Sequence, residues 1–187
     1  MIYILILIII SLISLYLVTL QKEKIIESKN IMSYSSITIG NYFIKKHAEK
    51  GNLTPLKLLK IVYIAYGWYL AFKGIDEPLV SEKPQAWVNG PVFSNLYHNI
   101  KQFGKSAIKV PIRNILLDKA ITDDDSKFLD KIWEIYGEKD GIYLSAITHT
   151  PETPWSETYP KGYNLEIPDK LILQHYKSKI KPKIQQV

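Results

Sequence analysis

Thr54-Pro55-Leu56-Lys57-Leu58-Leu59-Lys60-Ile61-Val62-Tyr63-Ile64-Ala65-Tyr66-Gly67-Trp68-Tyr69-Leu70-Ala71-Phe72-Lys73-Gly74 is the stretch on which the fold turns. Thr54 suits a helix N-cap, and Pro55 suits the first helical position, where its missing N–H costs nothing. Leu56, Leu59, Tyr63, Tyr66 and Leu70 recur at alternating steps of three and four, and so do Leu58, Ile61, Ala65, Trp68 and Phe72 on a second face. A helix apolar on two faces predicts a central, buried element. Lys57 and Lys60 are the only charges between Thr54 and Phe72, and they share a side with Ile64, Gly67 and Ala71. They are expected to snorkel to solvent from the first turns, or to meet an acidic partner surface.

The flanks supply the rest of a mainly α fold, a compact helical bundle around the helix at about 54–73. Upstream, Ser36 opens a short amphipathic helix that Gly51-Asn52 stops. Downstream, Leu79 to Val88 is too short and Pro-interrupted for a long helix and predicts an extended piece or β-hairpin near 79–88. Asn89-Gly90-Pro91 reads as a turn into a helix over about Phe93 to Phe103. Lys105 to Lys119 reads as loop with at most a short strand. Thr122-Asp123-Asp124-Asp125 is a helix start with capping-box spacing and acids at the positive end of the helix dipole. Phe128, Leu129, Ile132, Trp133 and Tyr136 give its core stripe. Asp140 caps a further helix from about Ile142 to Thr148, which Pro151 and Pro154 prevent from continuing. Ser156 to Pro168 reads as loop, and Asp169 to Lys177 as a last short helix before a Lys-rich tail.

Ile2 to Leu20 carries no charge and, as a helix of ~28 Å, would match the hydrocarbon thickness of a bilayer. Lys22, Lys24 and Lys29 follow it and none precedes it, which places the C-terminal side in the cytoplasm. The alternative is a start at Met32, which removes the run altogether. The expected organisation is therefore an anchor or mis-assigned start over 1–21, a linker over 22–35, a helical domain over 36–156 and a C-terminal extension over 157–187.

The totals exclude several classes of function. With 47 % hydrophobic and 22 % charged residues the chain is globular rather than disordered. The absence of Cys removes disulfides, a cysteine nucleophile and thiolate metal sites. No phosphate-cradling Gly-rich loop, His-Glu-x-x-His or Gly-x-Ser-x-Gly is present. A net charge of +6 permits nucleic-acid contact, but the basic residues are scattered outside the tail, and no nucleic-acid partner is expected. The four His stand singly; Ser145 and His149, four apart on one helix, have the spacing of a nucleophile and base, without a nameable orienting group. No catalytic residue, metal site or cofactor is assigned, and the oligomeric state is not readable.

The segment Leu53 to Leu70 is very similar to the signature helix of the Panacea domain family, also called SocA-like or phage-associated GepA-like. The resemblance continues through Glu82, Pro84, Ala86-Trp87, Gly90-Pro91-Val92, Leu96-Tyr97 and Phe103-Gly104. It closes with Tyr136-Gly137, Leu144-Ser145, Thr148-His149 and Pro154-Trp155, covering roughly Ile37 to Trp155. It implies a largely helical prophage-associated domain acting as the antitoxin of a toxin–antitoxin pair, with no catalytic residues. The partner would be a cognate toxin, neutralised by direct contact. An adaptor that delivers a partner to a protease and an enzyme using His149 are the alternatives. Of the matching positions, Lys57, Lys60, Tyr63, Tyr66, Trp87, Tyr97, Thr148 and His149 are the partner-binding candidates, with Lys57, Lys60, Thr148 and His149 expected in one shared cleft. Pro55, Gly90, Pro91, Leu144, Pro154 and Trp155 are expected to be structural.

Overall fold

In a computed structural model, residues 3, 8, 10–22, 33–113 and 119–180 are described. The elements in chain order are α1 (Ser36–His47), α2 (Pro55–Lys73), β1 (Gln85–Trp87), β2 (Gly90–Val92), α3 (Ser94–Ile100), α4 (Asp123–Tyr136), α5 (Gly141–His149), α6 (Pro154–Thr158), β3 (Leu165–Glu166) and α7 (Asp169–Ser178). Short 3-10 turns lie at Ala48–Lys50, Lys101–Phe103 and Tyr159–Lys161. The chain divides into two units, 1–33 and 34–187. In the first, residues 10–22 are helical, with apolar side chains such as Leu15 and Leu17 exposed. Among the described residues no helix is long and apolar enough to cross a membrane, so the anchor expected over Ile2 to Leu20 has no support. Ile2, residues 4–7 and residue 9 of that run lie outside the described residues.

In the second unit α2 is the central helix that its two apolar series predict. Thr54 caps it, its side chain accepting from the Lys57 N–H, and Pro55 takes the first turn. Leu58, Ile61, Val62, Ala65, Tyr66 and Leu70 are fully buried. α5 and α7 pack on it most extensively, and α1, α3, α4 and β2 complete the surround. The strands form an antiparallel sheet in the order β2-β1-β3.

Four expectations change. Lys57 and Lys60 do not snorkel: they are 1 % and 0 % exposed. Lys57 Nζ donates to the Gly137 carbonyl at 2.5 Å and lies 4.9 Å from the Trp133 ring centroid. The aliphatic stems that let a lysine reach water here run between packed helices, and the carbonyls of loops laid over α2 take the charge instead.

The hairpin is displaced from 79–88: β1 is its first half, and β2, Gly90–Val92, which takes in most of the turn expected at Asn89-Gly90-Pro91, is its second. Pro91 is tolerated because β2 is an edge strand, and its partner Ala86 gives its carbonyl to Asn164 on the other side. Residues 105–113 form no strand, and 114–118 lie outside the described residues.

Thr122 caps α4 through the Asp125 N–H, but no reciprocal box forms. The Thr122 N–H donates to the Tyr34 hydroxyl, and the Asp125 carboxylate accepts from Tyr34 (2.7 Å), Tyr69 (2.9 Å) and the Thr122 hydroxyl (2.8 Å). The capping box that does form is at Thr153 and Ser156, where Pro154 opens α6 rather than closing the domain.

After 156, the stretch expected as loop carries β3, the expected last helix forms as α7, and Ile167, Ile172 and Tyr176 are buried in the common core rather than in a separate extension. No periodicity marks Ser156 to Pro168 because its order comes from pairing with β1, a contact distant in sequence.

Asp125 gives a pH dependence. Burial raises its pKa, but the hydrogen bonds from Tyr34, Thr122 and Tyr69 outweigh this, so the carboxyl sits below its ordinary value. A depressed carboxyl stabilises the fold above its unfolded pKa and loses that contribution as pH falls through the folded value. In urea titrations between pH 7 and pH 3, the wild type should therefore lose more stability than Asp125→Asn. Parallel losses would mean that Asp125 contributes nothing through its charge.

Candidate functional site

Lys60 is one turn into α2, directed at the hairpin. Its Nζ donates to the Asn89 carbonyl at 2.6 Å and the Pro91 carbonyl at 3.1 Å. No carboxylate pairs with it among the described residues, and burial lowers its pKa to about 7. Gly90, at φ +99°, lies directly over this ammonium. A Cβ there would fall well inside 3.0 Å of both Lys60 Nζ and the His149 ring, so only glycine lets the hairpin approach so closely. Lys60 and His149 therefore flank the same glycine.

His149 does not serve Ser145 as a base through Nδ1. Its Nδ1 lies 2.5 Å from the Ser145 carbonyl oxygen, a distance that requires Nδ1–H to donate. The Ser145 hydroxyl is 3.4 Å from the same nitrogen, which has no lone pair left to take its proton. The ring packs at 4.1 Å on Trp155, whose Nε1 donates to the Trp87 carbonyl at 2.8 Å. Burial lowers the imidazole pKa, the Ser145 carbonyl raises it and the nearby Lys60 lowers it further. His149→Ala should cost about 1–2 kcal/mol and lower the melting temperature by several degrees, the mark of a packing residue. An unchanged melting temperature with activity lost would mark a catalytic one.

The hairpin held this way forms one wall of an open groove with a volume of 380 Å³. Pro55, Leu56 and Leu59 of α2 form its floor with Lys60 beneath. Trp87, Val88, Asn89 and Val92 come from the hairpin, and Tyr97 and Lys101 from α3 and the turn after it. Trp87 is fixed by its Nε1 donating to Gln85 Oε1 at 2.8 Å and by the Tyr97 ring set edge-on at 4.9 Å. Val88, at the hairpin tip, is 68 % exposed.

The expected candidates thus separate. Pro55, Lys60, Trp87 and Tyr97 share the groove. Lys57 lies apart under Gly137, so the single cleft expected for Lys57, Lys60, Thr148 and His149 does not form. Tyr63, Thr148 and Pro154 surround a small cavity of 20 Å³, room for about one water. The Tyr63 hydroxyl there is buried without a partner among the described residues. Tyr66 donates to Asp169 Oδ1 at 2.7 Å, with Lys83 paired to the other carboxylate oxygen, and Leu144 is core. Val88 and Lys101 were not singled out from sequence. Their signal was faint: a valine beside Trp87 in a turn, and a lysine in the last turn of a helix.

Among the described residues no cluster of three or more His, Asp or Glu could hold a metal ion. In comparisons with known proteins, a family model described as antitoxin SocA-like, Panacea domain, matches residues 58–156, more than half of the chain. No curated protein and no solved structure matches.

Proposed function

The chain belongs to the antitoxin SocA-like, Panacea domain family, and from that premise we propose that it neutralises a cognate toxin by direct protein–protein contact. The observation that carries the contact reading is how the polar groups at the heart of the domain are spent. Lys60, Lys57 and His149 each give their hydrogen bonds to backbone carbonyls, as fasteners between elements. What the domain offers outward is an open, mostly apolar groove. A rigid scaffold with an aromatic-lined groove suits holding a partner, because its binding residues are already ordered.

The experiment is co-expression of the protein encoded beside this chain, with and without it, followed by growth. The expected result is arrest by the neighbour alone and restored growth with both; a harmless neighbour contradicts the antitoxin reading. Toxin half-life, measured in the same cells, should be unchanged or longer. A shortened half-life would favour delivery to a protease over occlusion.

A further inference from the structure

The groove between the N-terminal half of α2, the hairpin and α3 has a charge pattern that specifies more than apolarity. Its charged lining residues are Lys60 and Lys101, and no acidic residue lines it. The Lys60 amine is buried under the floor and hydrogen-bonds only to carbonyls, without a carboxylate among the described residues. With its pKa lowered to about 7 by burial, Lys60 carries only part of a charge near neutral pH, so Lys101 chiefly sets the sign of the groove. Lys101 stands exposed at the rim. The rest of the lining includes Leu56, Leu59, Val88 and Val92, with Trp87 and Tyr97. Trp and Tyr held rigidly in this way are the residues that most often carry binding energy.

We propose that this groove is the docking site for a segment of the cognate toxin that inserts an apolar side chain between Trp87, Val88 and Leu59 and sets a carboxylate against Lys101. This deepens the antitoxin reading and rests on it. The apolar side chain would bury against walls already ordered in the free protein. The carboxylate would meet the charge of Lys101 while remaining at the wetted rim, so it avoids full desolvation. The chain's overall charge of +6 favours the same sign of partner at long range.

Val88→Asp and Lys101→Glu test the two halves of the proposal in the full chain, with Ile142→Asp as control. Val88 and Ile142 are 68 % and 75 % exposed, and Ile142 does not line the groove. The probe is the purified protein encoded beside this chain, with growth rescue read in parallel. Val88→Asp and Lys101→Glu should each weaken binding at least about tenfold and lose rescue, with melting temperatures unchanged. Ile142→Asp should rescue like wild type, and added salt should weaken wild-type binding but not the residual binding of Lys101→Glu.

If wild type rescues and both groove variants rescue equally well, the groove assignment is overturned while the antitoxin reading stands. Loss with Val88→Asp alone removes the carboxylate from the proposal. A dimer of the isolated chain that Val88→Asp dissolves would give the groove to a second copy and overturn the assignment. Failure of wild type to rescue overturns the antitoxin reading, and this proposal with it.

Discussion

Gly67→Ala should destabilise the domain by about 2–4 kcal/mol, opposite in sign to the ~1 kcal/mol gain the same change brings in an ordinary helix interior. Gly67 lies in α2 where Tyr176 of α7 crosses it, and a Cβ there would fall well inside 3.0 Å of three ring atoms. The ring has nowhere to go: Tyr176 is 5 % exposed and meets Trp68 edge-on at 5.1 Å. Relief requires α7 to lift, which exposes Tyr176 and Ile172 at roughly 1.5–3 kcal/mol each, so the packing loss exceeds the propensity gain. The check is a double-mutant cycle by urea unfolding. In a Tyr176→Ala background the alanine at 67 should be neutral or stabilising. A cost that persists there would mean the helix itself, and not the aromatic seat, needs the glycine.

Gly90→Ala should cost about 3–5 kcal/mol. Part is backbone: φ +99° is unfavourable for any residue with a Cβ, at about 1–3 kcal/mol. The larger part is the displaced ammonium. Pushing Lys60 off the Asn89 and Pro91 carbonyls leaves a buried amine and the buried Pro91 carbonyl without their hydrogen bond. Because the same hairpin carries Trp87 and Val88, the groove should be lost together with the stability. Thermal unfolding and Trp fluorescence report both. A variant with near-normal melting would show that the hairpin is not pinned through Lys60.

The central helix was legible because two of its faces are apolar and both ends carry cap residues, signals that are local to the chain. The short helix from Gly141 was legible for the same reason, through Asp140. Lys57 and Lys60 were misread because a lysine on an apolar helix ordinarily reaches water. Their acceptors are carbonyls 80 and about 30 residues away, which no spacing reveals. Asp125 looked like a capping residue, and it serves mainly to join Tyr34 and Tyr69, again partners distant in sequence. The C-terminal segment was undervalued because its anchor, Tyr176 over Gly67, is a match of a ring with a missing side chain. Five of the eight partner candidates do not line the groove, since family resemblance marks positions that hold the fold as readily as positions that hold a partner.

Neutralisation by direct contact is tested by titrating the full chain into a fixed amount of purified toxin while toxin activity is followed. Contact predicts activity falling linearly and reaching its minimum at a fixed, near-equimolar ratio, with a complex of the two proteins recovered by gel filtration. Complete inhibition at strongly substoichiometric amounts, or undiminished toxin activity at large excess, would contradict it.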